Sequence, residues 1–149
     1  MPAAFPDMTI RRPLRVLLVD DGAADRELAR EVFDTHDEQV IVDTCATGAR
    51  ALEFLHKPDT TLPDVILLDL NMPGMSGFDV LAALKADTRL GVIPVVILSS
   101  SSHAGDVEQA YSLHASSFMT KQIDFGHFVQ QIDAFVSFWL EARTAHWPG

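Results

Sequence analysis

The sequence predicts an α/β fold, with one parallel sheet of five strands and helices on both of its faces. Three observations carry this expectation. Short apolar runs alternate with stretches of helical periodicity five times along the chain. The runs Leu14–Asp20 and Asp64–Leu70 are apolar at consecutive positions, as in strands covered on both faces. Residues with chemistry to offer stand where the runs stop: Asp20 and Asp21, Asp69, Ser99 and Lys121.

The elements follow in order. Leu14–Asp20 (LRVLLVD) is a strand rich in Leu and Val that halts at two acids. Gly22–Phe33 has Ala24, Leu28 and Val32 four apart, with Ala29 and Phe33 beside them, which is one face of a helix. Val40–Cys45 is the second strand, and Gly48–Leu55 carries Ala51, Leu52 and Leu55 at helical spacing. Pro58–Pro63 is a loop by its Pro, Asp and Thr content. Asp64–Leu70 is the third strand and Phe78–Ala86 the third helix. Pro94–Leu98 is the fourth strand, followed by a serine run, and Asp106–His114 the fourth helix. Ser117–Lys121 is a short fifth strand, and Phe125–Leu140 the fifth and longest helix. Right-handed crossovers leave few topologies. For five strands the expected arrangement is the flavodoxin-like, doubly wound order 2-1-3-4-5.

Size and charge narrow the function. A chain of 149 residues suits one domain. Residues 1–13 read as a flexible N-terminal arm, 14–137 as the domain, and 138–149 as an extension of the last helix with a tail. No apolar run approaches the ~20 residues of a membrane span, and the N-terminal stretch lacks the layout of a secretory signal. The net charge of −10 disfavours nucleic acid and anionic lipid as partners. Arg11, Arg12 and Arg15 form the only basic cluster visible along the chain. Cys45 is the only cysteine and reads as a small core residue in a reducing, cytoplasmic setting. The six histidines show no metal-ligand pairing.

In a sheet of this kind, function gathers at the carboxyl ends of the strands. That rule brings Asp20, Asp21, Asp69, Ser99 and Lys121 to one rim. Three carboxylates about 5 Å apart repel by roughly 3 kcal/mol per pair at an effective dielectric of 20. Lys121 offsets one charge, and a divalent cation would offset two more. Hard oxygen ligands without His or Cys favour Mg²⁺. A metal, a carboxylate nucleophile, a hydroxyl and an ammonium together suit phosphoryl transfer onto Asp69. The plainer possibility is that the acids only cap the following helices.

The motifs LLVDD (17–21), LLDLNMPGMSGFDVL (67–81), PVVILSSS (94–101) and SFMTK (117–121) resemble the receiver domain of two-component response regulators. The resemblance spans about Leu14 to Val136. It implies Asp69 as phospho-acceptor, and Mg²⁺ held by Asp20, Asp21, Asp69 and the backbone carbonyl of Asn71. It further implies Ser99 and Lys121 on the phosphoryl group, with Asn71, Ser100 and Ser101 flanking it. Phe118 stands at the aromatic switch position, where it would follow Ser99 inward on phosphorylation. Finer patterns, SLH at 112–114 and a late FW pair at 138–139, look like small receivers associated with bacterial phytochromes. The implied function is a stand-alone regulator phosphorylated by a sensor histidine kinase and acting on a downstream protein, not a turnover enzyme. A phosphorelay intermediate is the alternative. A haloacid-dehalogenase-like phosphohydrolase would need a second acid where Asn71 stands, and an unphosphorylated dimeric scaffold would not need the acid set. One departure concerns the residue after the lysine: the family usually has proline there, often after a cis bond, and this chain has Gln122.

On a helical wheel Phe125, Phe128, Val129, Ile132, Phe135, Val136 and Trp139 share one face, expected to be mostly core. Phe138 points elsewhere, and Trp147 falls past the helix. Surplus apolar surface here suggests a homodimer through the fourth helix, fifth strand and fifth helix.

Overall fold

A computed structural model describes residues 12–100 and 103–146, with side chains up to Ala142. The elements run β1 (Leu14–Val19), α1 (Ala23–Asp34), β2 (Val40–Cys45), α2 (Gly48–His56), β3 (Val65–Leu68), α3 (Gly77–Ala86), β4 (Val95–Ser99), α4 (Ala104–Ser112), β5 (Ser117–Thr120) and α5 (Phe125–His146). The strands lie in the order β2-β1-β3-β4-β5, and every neighbouring pair is parallel. This is the predicted five-stranded, five-helix topology.

The apolar runs divide by parity between two cores, because successive strand side chains point to opposite faces. Leu17, Val19, Ile66, Leu68, Val95 and Ile97 face α2, α3 and α4. Val16, Leu18, Val65, Leu67, Val96 and Leu98 face α1 and α5. β1, β3 and β4 are sandwiched on both sides, which is why their sequences do not alternate with polar residues. β5 is an edge strand and is only partly covered.

Several strands are shorter than the sequence suggests, and the difference matters for function. β1 stops at Val19, β3 at Leu68 and β5 at Thr120. Asp20, Asp69 and Lys121 are each held by one more bond from the backbone N–H: to the Cys45 carbonyl at 3.1 Å, to Val19 at 2.9 Å and to Ser99 at 2.6 Å. They occupy the last rung, where the backbone is still registered but the side chain can turn toward the rim. Asp64, predicted inside the third strand, instead precedes it. Its carboxylate accepts both Arg12 guanidinium nitrogens, at 2.7 and 2.8 Å, and the Arg15 N–H at 2.9 Å, and that ties the entry of β1 to the entry of β3.

The α3 N-terminus is held from both directions. Ser76 accepts the Asp79 N–H and Asp79 accepts the Ser76 N–H, a capping box. Gly77 donates to the Leu70 carbonyl at 2.9 Å, and this close approach of helix to strand is possible only without a side chain. α4 begins and ends two residues ahead of its predicted span. His114 takes a left-handed φ of 67° after it, and Ala115 N–H reaches back to the Ala110 carbonyl at 3.0 Å, so the helix closes with a Schellman turn.

Phe125 corrects the expected core stripe of α5. Phe128, Ile132, Phe135 and Val136 are buried, but Phe125 is 61% exposed. A helix of 22 residues is about 33 Å long, whereas strands of four to six residues span roughly 13–20 Å. Helical periodicity continues past the sheet, so the first residue of the stripe has nothing to cover, whereas Trp139 at the other end still packs on the core. Among the described residues no helix is long and apolar enough to cross a membrane.

Candidate functional site

The ends of β1 and β3 bring Asp20, Asp21 and Asp69 together, each offering a carboxylate oxygen within 4.8 Å of the others. Asp20 and Asp69 are buried, at 3% and 6% exposure, and Asp21 is open to solvent. Asp20 is held from three sides. Its Oδ1 accepts the Gly22 N–H at 2.9 Å, its Oδ2 accepts Lys121 Nζ at 2.8 Å, and its carbonyl accepts Arg26 at 2.8 Å.

Burial is the main cause that pushes Asp69 up to about 6, and the charge of Asp20 adds to it against the pull of Lys121. Asp69 Oδ1 also accepts the Asn71 N–H at 3.3 Å. Burial alone would lower the Lys121 ammonium. Its hydrogen bonds to Asp20 and Asp25 and the field of Asp69 outweigh that, so it stays above its ordinary value. Lys121 is therefore a fixed positive charge at the rim.

The remaining predicted residues fall around this centre. Ser99 ends β4 fully buried, with its Oγ 3.5 Å from Asn71 Nδ2. Ser100 is exposed and lines a crevice of about 230 Å³ with Asp25, Leu28, Lys121, Gln122 and Ile123. Ser101 lies outside the described residues, as do most of the N-terminal arm and Trp147. Phe118, on β5, is partly buried against the core under α2, α3 and α4. Among the described residues no peptide bond is cis, so the Lys121–Gln122 bond is trans.

Sequence reasoning missed Asp25 and Arg26. Asp25 Oδ2 is the second partner of Lys121, at 3.1 Å. Both residues sit in the first turn of α1, just after the acid pair, and that position was the available signal. The fold also gathers basic residues beyond Arg11, Arg12 and Arg15, the cluster visible along the chain. Arg26, Arg50 and Lys57 line a crevice of about 500 Å³ at the end of β2 with Cys45. They come from separate elements, so no run along the chain reveals them. Cys45 is half-buried rather than core, and burial pushes its thiol up.

A buried carboxylate beside two acids that could share a cation, with an ammonium bound to one of them, is an acidic pocket consistent with a phosphorylation site. Residues 16–133 match the family described as response regulator receiver domain. The chain belongs to the response regulator receiver family. The receiver is 36% identical over 138 residues to response regulator Rcp1 of Synechocystis sp., covering 89% of this chain and 92% of that protein. It superposes on the Mn²⁺-bound form of Rcp1 with a TM-score of 0.80 at 35% identity, over 87% of this chain and 96% of the other. The phosphorylated cyanobacterial phytochrome response regulator RcpA matches with a TM-score of 0.84 at 34% identity, over 93% and 100%. Two-component signalling is thus the setting of the receiver. It is a response regulator module.

Proposed function

We propose that Asp69 accepts a phosphoryl group from a sensor histidine kinase and that the modified receiver then signals through its β5–α5 side. The observation that carries this reading is the convergence of the Asp20, Asp21 and Asp69 oxygens within 4.8 Å, with Lys121 Nζ bound to Asp20 at 2.8 Å. Donor chemistry supports Mg²⁺: the ligands are hard oxygens, and one ammonium cannot offset three carboxylates. Asp20, Asp21, Asp69 and the backbone carbonyl of Asn71 would hold the ion, which when bound supplies charge neutralisation for the transferring group.

In the transfer, an Asp69 oxygen forms a bond to phosphorus as the bond from phosphorus to the donor nitrogen breaks, and the nitrogen keeps the electron pair. Lys121 and Ser99 stabilise charge on the phosphoryl oxygens, with Asn71, Ser100 and Ser101 flanking them. Asp20 orients Lys121, and Asp25 shares that ammonium from α1. The likeness to RcpA, a cyanobacterial phytochrome response regulator, supports a kinase of the phytochrome type as the partner. Incubation with acetyl phosphate and Mg²⁺, followed by intact mass, tests the reading. One added phosphoryl group is expected, and an unchanged mass would overturn it. Free phosphate without an adduct would instead mark a hydrolase.

Ser99 and Phe118 form the proposed switch. The phosphoryl group draws Ser99 toward Asp69, and Phe118 moves into the space released, reshaping the side formed by α4, β5 and α5. Phe118→Ala should label within about twofold of wild type, since a switch of this kind acts after the chemistry. It should nevertheless bind its downstream partner equally with and without phosphorylation. A preserved phosphorylation-dependent difference in partner affinity, measured by calorimetry, would count against this role.

The same side is proposed to carry a homodimer. A groove of about 410 Å³ there is lined by Met119, Ala134, Phe135, Phe138 and Trp139, and Phe138 is 61% exposed with its ring edge-on to Trp139 at 5.1 Å. Phe138→Glu is expected to shift sedimentation toward the monomer. Wild-type self-association in that variant would remove α5 from the interface.

A further inference from the structure

We propose that Gln131 of α5 is a positioning residue for Lys121. The proposal rests on the reading of Asp69 as phosphoryl acceptor and adds a residue to it. The side-chain amide of Gln131 bonds both sides of the turn that follows β5. Its Nε2 donates to the Thr120 carbonyl at 2.8 Å, and its Oε1 accepts the Gln122 N–H at 3.2 Å. The assignment of oxygen and nitrogen follows from the partners, since a backbone N–H needs an acceptor and a carbonyl a donor.

These two bonds bracket Lys121. The peptide plane before its Cα is held by Gln131 on the Thr120 carbonyl, and also by the Lys121 N–H on the Ser99 carbonyl at 2.6 Å. The plane after its Cα is held by Gln131 on the Gln122 N–H. With both planes held, the Cα–Cβ direction of Lys121 is set, and its four-carbon stem aims Nζ at Asp20 and Asp25. A Lys side chain is flexible, so its aim depends on where the backbone launches it.

The latch also answers the departure at position 122. A proline there would fix its own φ and offer no N–H. Gln122 leaves φ free and presents a donor on an exposed turn, and Gln131 takes that donor. Gln131 also lines the groove beside Phe135 and Trp139, so the residue that aims the lysine lies in the wall of the side proposed to signal.

The test compares initial labelling by acetyl phosphate at saturating Mg²⁺ in wild type, Gln131→Met, Gln122→Pro and the double variant, with Mg²⁺ affinity measured by calorimetry. Gln131→Met keeps the length of the side chain and loses both bonds. It is expected to label about three- to tenfold more slowly, as misplacement of a catalytic group does. Its Mg²⁺ affinity should not fall, because no proposed ligand touches Gln131 and a misaimed Lys121 only frees Asp20 for the ion. In the Gln122→Pro background the same substitution should cost at most about half as much on a logarithmic scale, since one of its two partners is already gone. A wild-type rate in Gln131→Met overturns the proposal. So does a slower rate that comes with lost Mg²⁺ affinity, or an undiminished penalty in the double variant, because the effect would then not run through the latch. Failure of wild type itself to label refutes the acceptor role of Asp69 instead.

Discussion

Asp69→Asn is expected to reduce phosphodonor labelling to background while making the metal-free protein more stable at neutral pH. The loss of labelling follows from the chemistry: an amide offers no anionic oxygen to attack phosphorus. The gain in stability follows from the site. Asp69 is pushed up to about 6 from the ordinary 3.8, so folding favours its protonated form. Its contribution is fully present below about pH 4 and is lost as pH rises through 6. Asparagine stays neutral throughout and loses nothing over that window. A displacement of this size corresponds to about 3 kcal/mol, and water at the open rim reduces this to roughly 1–2 kcal/mol. Urea unfolding in EDTA should show that gain at pH 7.5, and the gain should vanish by about pH 4. A variant less stable than wild type at pH 7.5 would mean that Asp69 is satisfied by its surroundings rather than strained in wait for a ligand. Restoring Mg²⁺ should narrow or reverse the gap, because the aspartate gains more from the ion than an asparagine that leaves only the other ligands charged.

Gly77→Ala is expected to cost about 2–4 kcal/mol, in the range of overpacked and strained sites. A Cβ at position 77 would lie 2.4 Å from the Asp69 carbonyl oxygen and 2.7 Å from Leu70 Cα. Both are backbone atoms of the segment that presents the acceptor, so neither can rotate away. Relief requires α3 to retreat from the end of β3, which breaks the Gly77–Leu70 hydrogen bond and displaces Asp69. Loss of stability and slower labelling should therefore appear together. Gly74 provides the contrast. It has a φ of 75° with nothing within 4 Å, so alanine there meets only left-handed backbone strain of about 1–2 kcal/mol. Denaturant midpoints that rank Gly74→Ala below Gly77→Ala would contradict the close-packing argument.

Much of the site could be read along the chain because its members sit at a recognisable place, the end of an apolar run. Asp20, Asp69 and Lys121 each follow a strand, and for the two acids that strand declares itself by its Val, Ile and Leu content. Phe125 shows the limit of periodicity: a stripe records what a helix would present, not how far the sheet beneath it extends. Asp25, Arg26 and Gln131 show another limit. Only their place just after the acid pair marks Asp25 and Arg26, and nothing in its local sequence marks Gln131, since polar residues on a helix are ordinarily solvated.

What the amino-acid order determined alone is the alternation of strands and helices, and with it a short choice of sheet orders and the rim where the acids meet. Those follow from short-range periodicity and the handedness of crossovers, which act within one element or between successive ones. What only the tertiary structure decided is who touches whom at that rim. Asp25 came to share Lys121, Gly77 came to lie against Asp69, and Gln131 came to brace the turn after β5. Such contacts depend on where separate helices dock on the sheet, to within an ångström, and that is set by the packing of both cores at once.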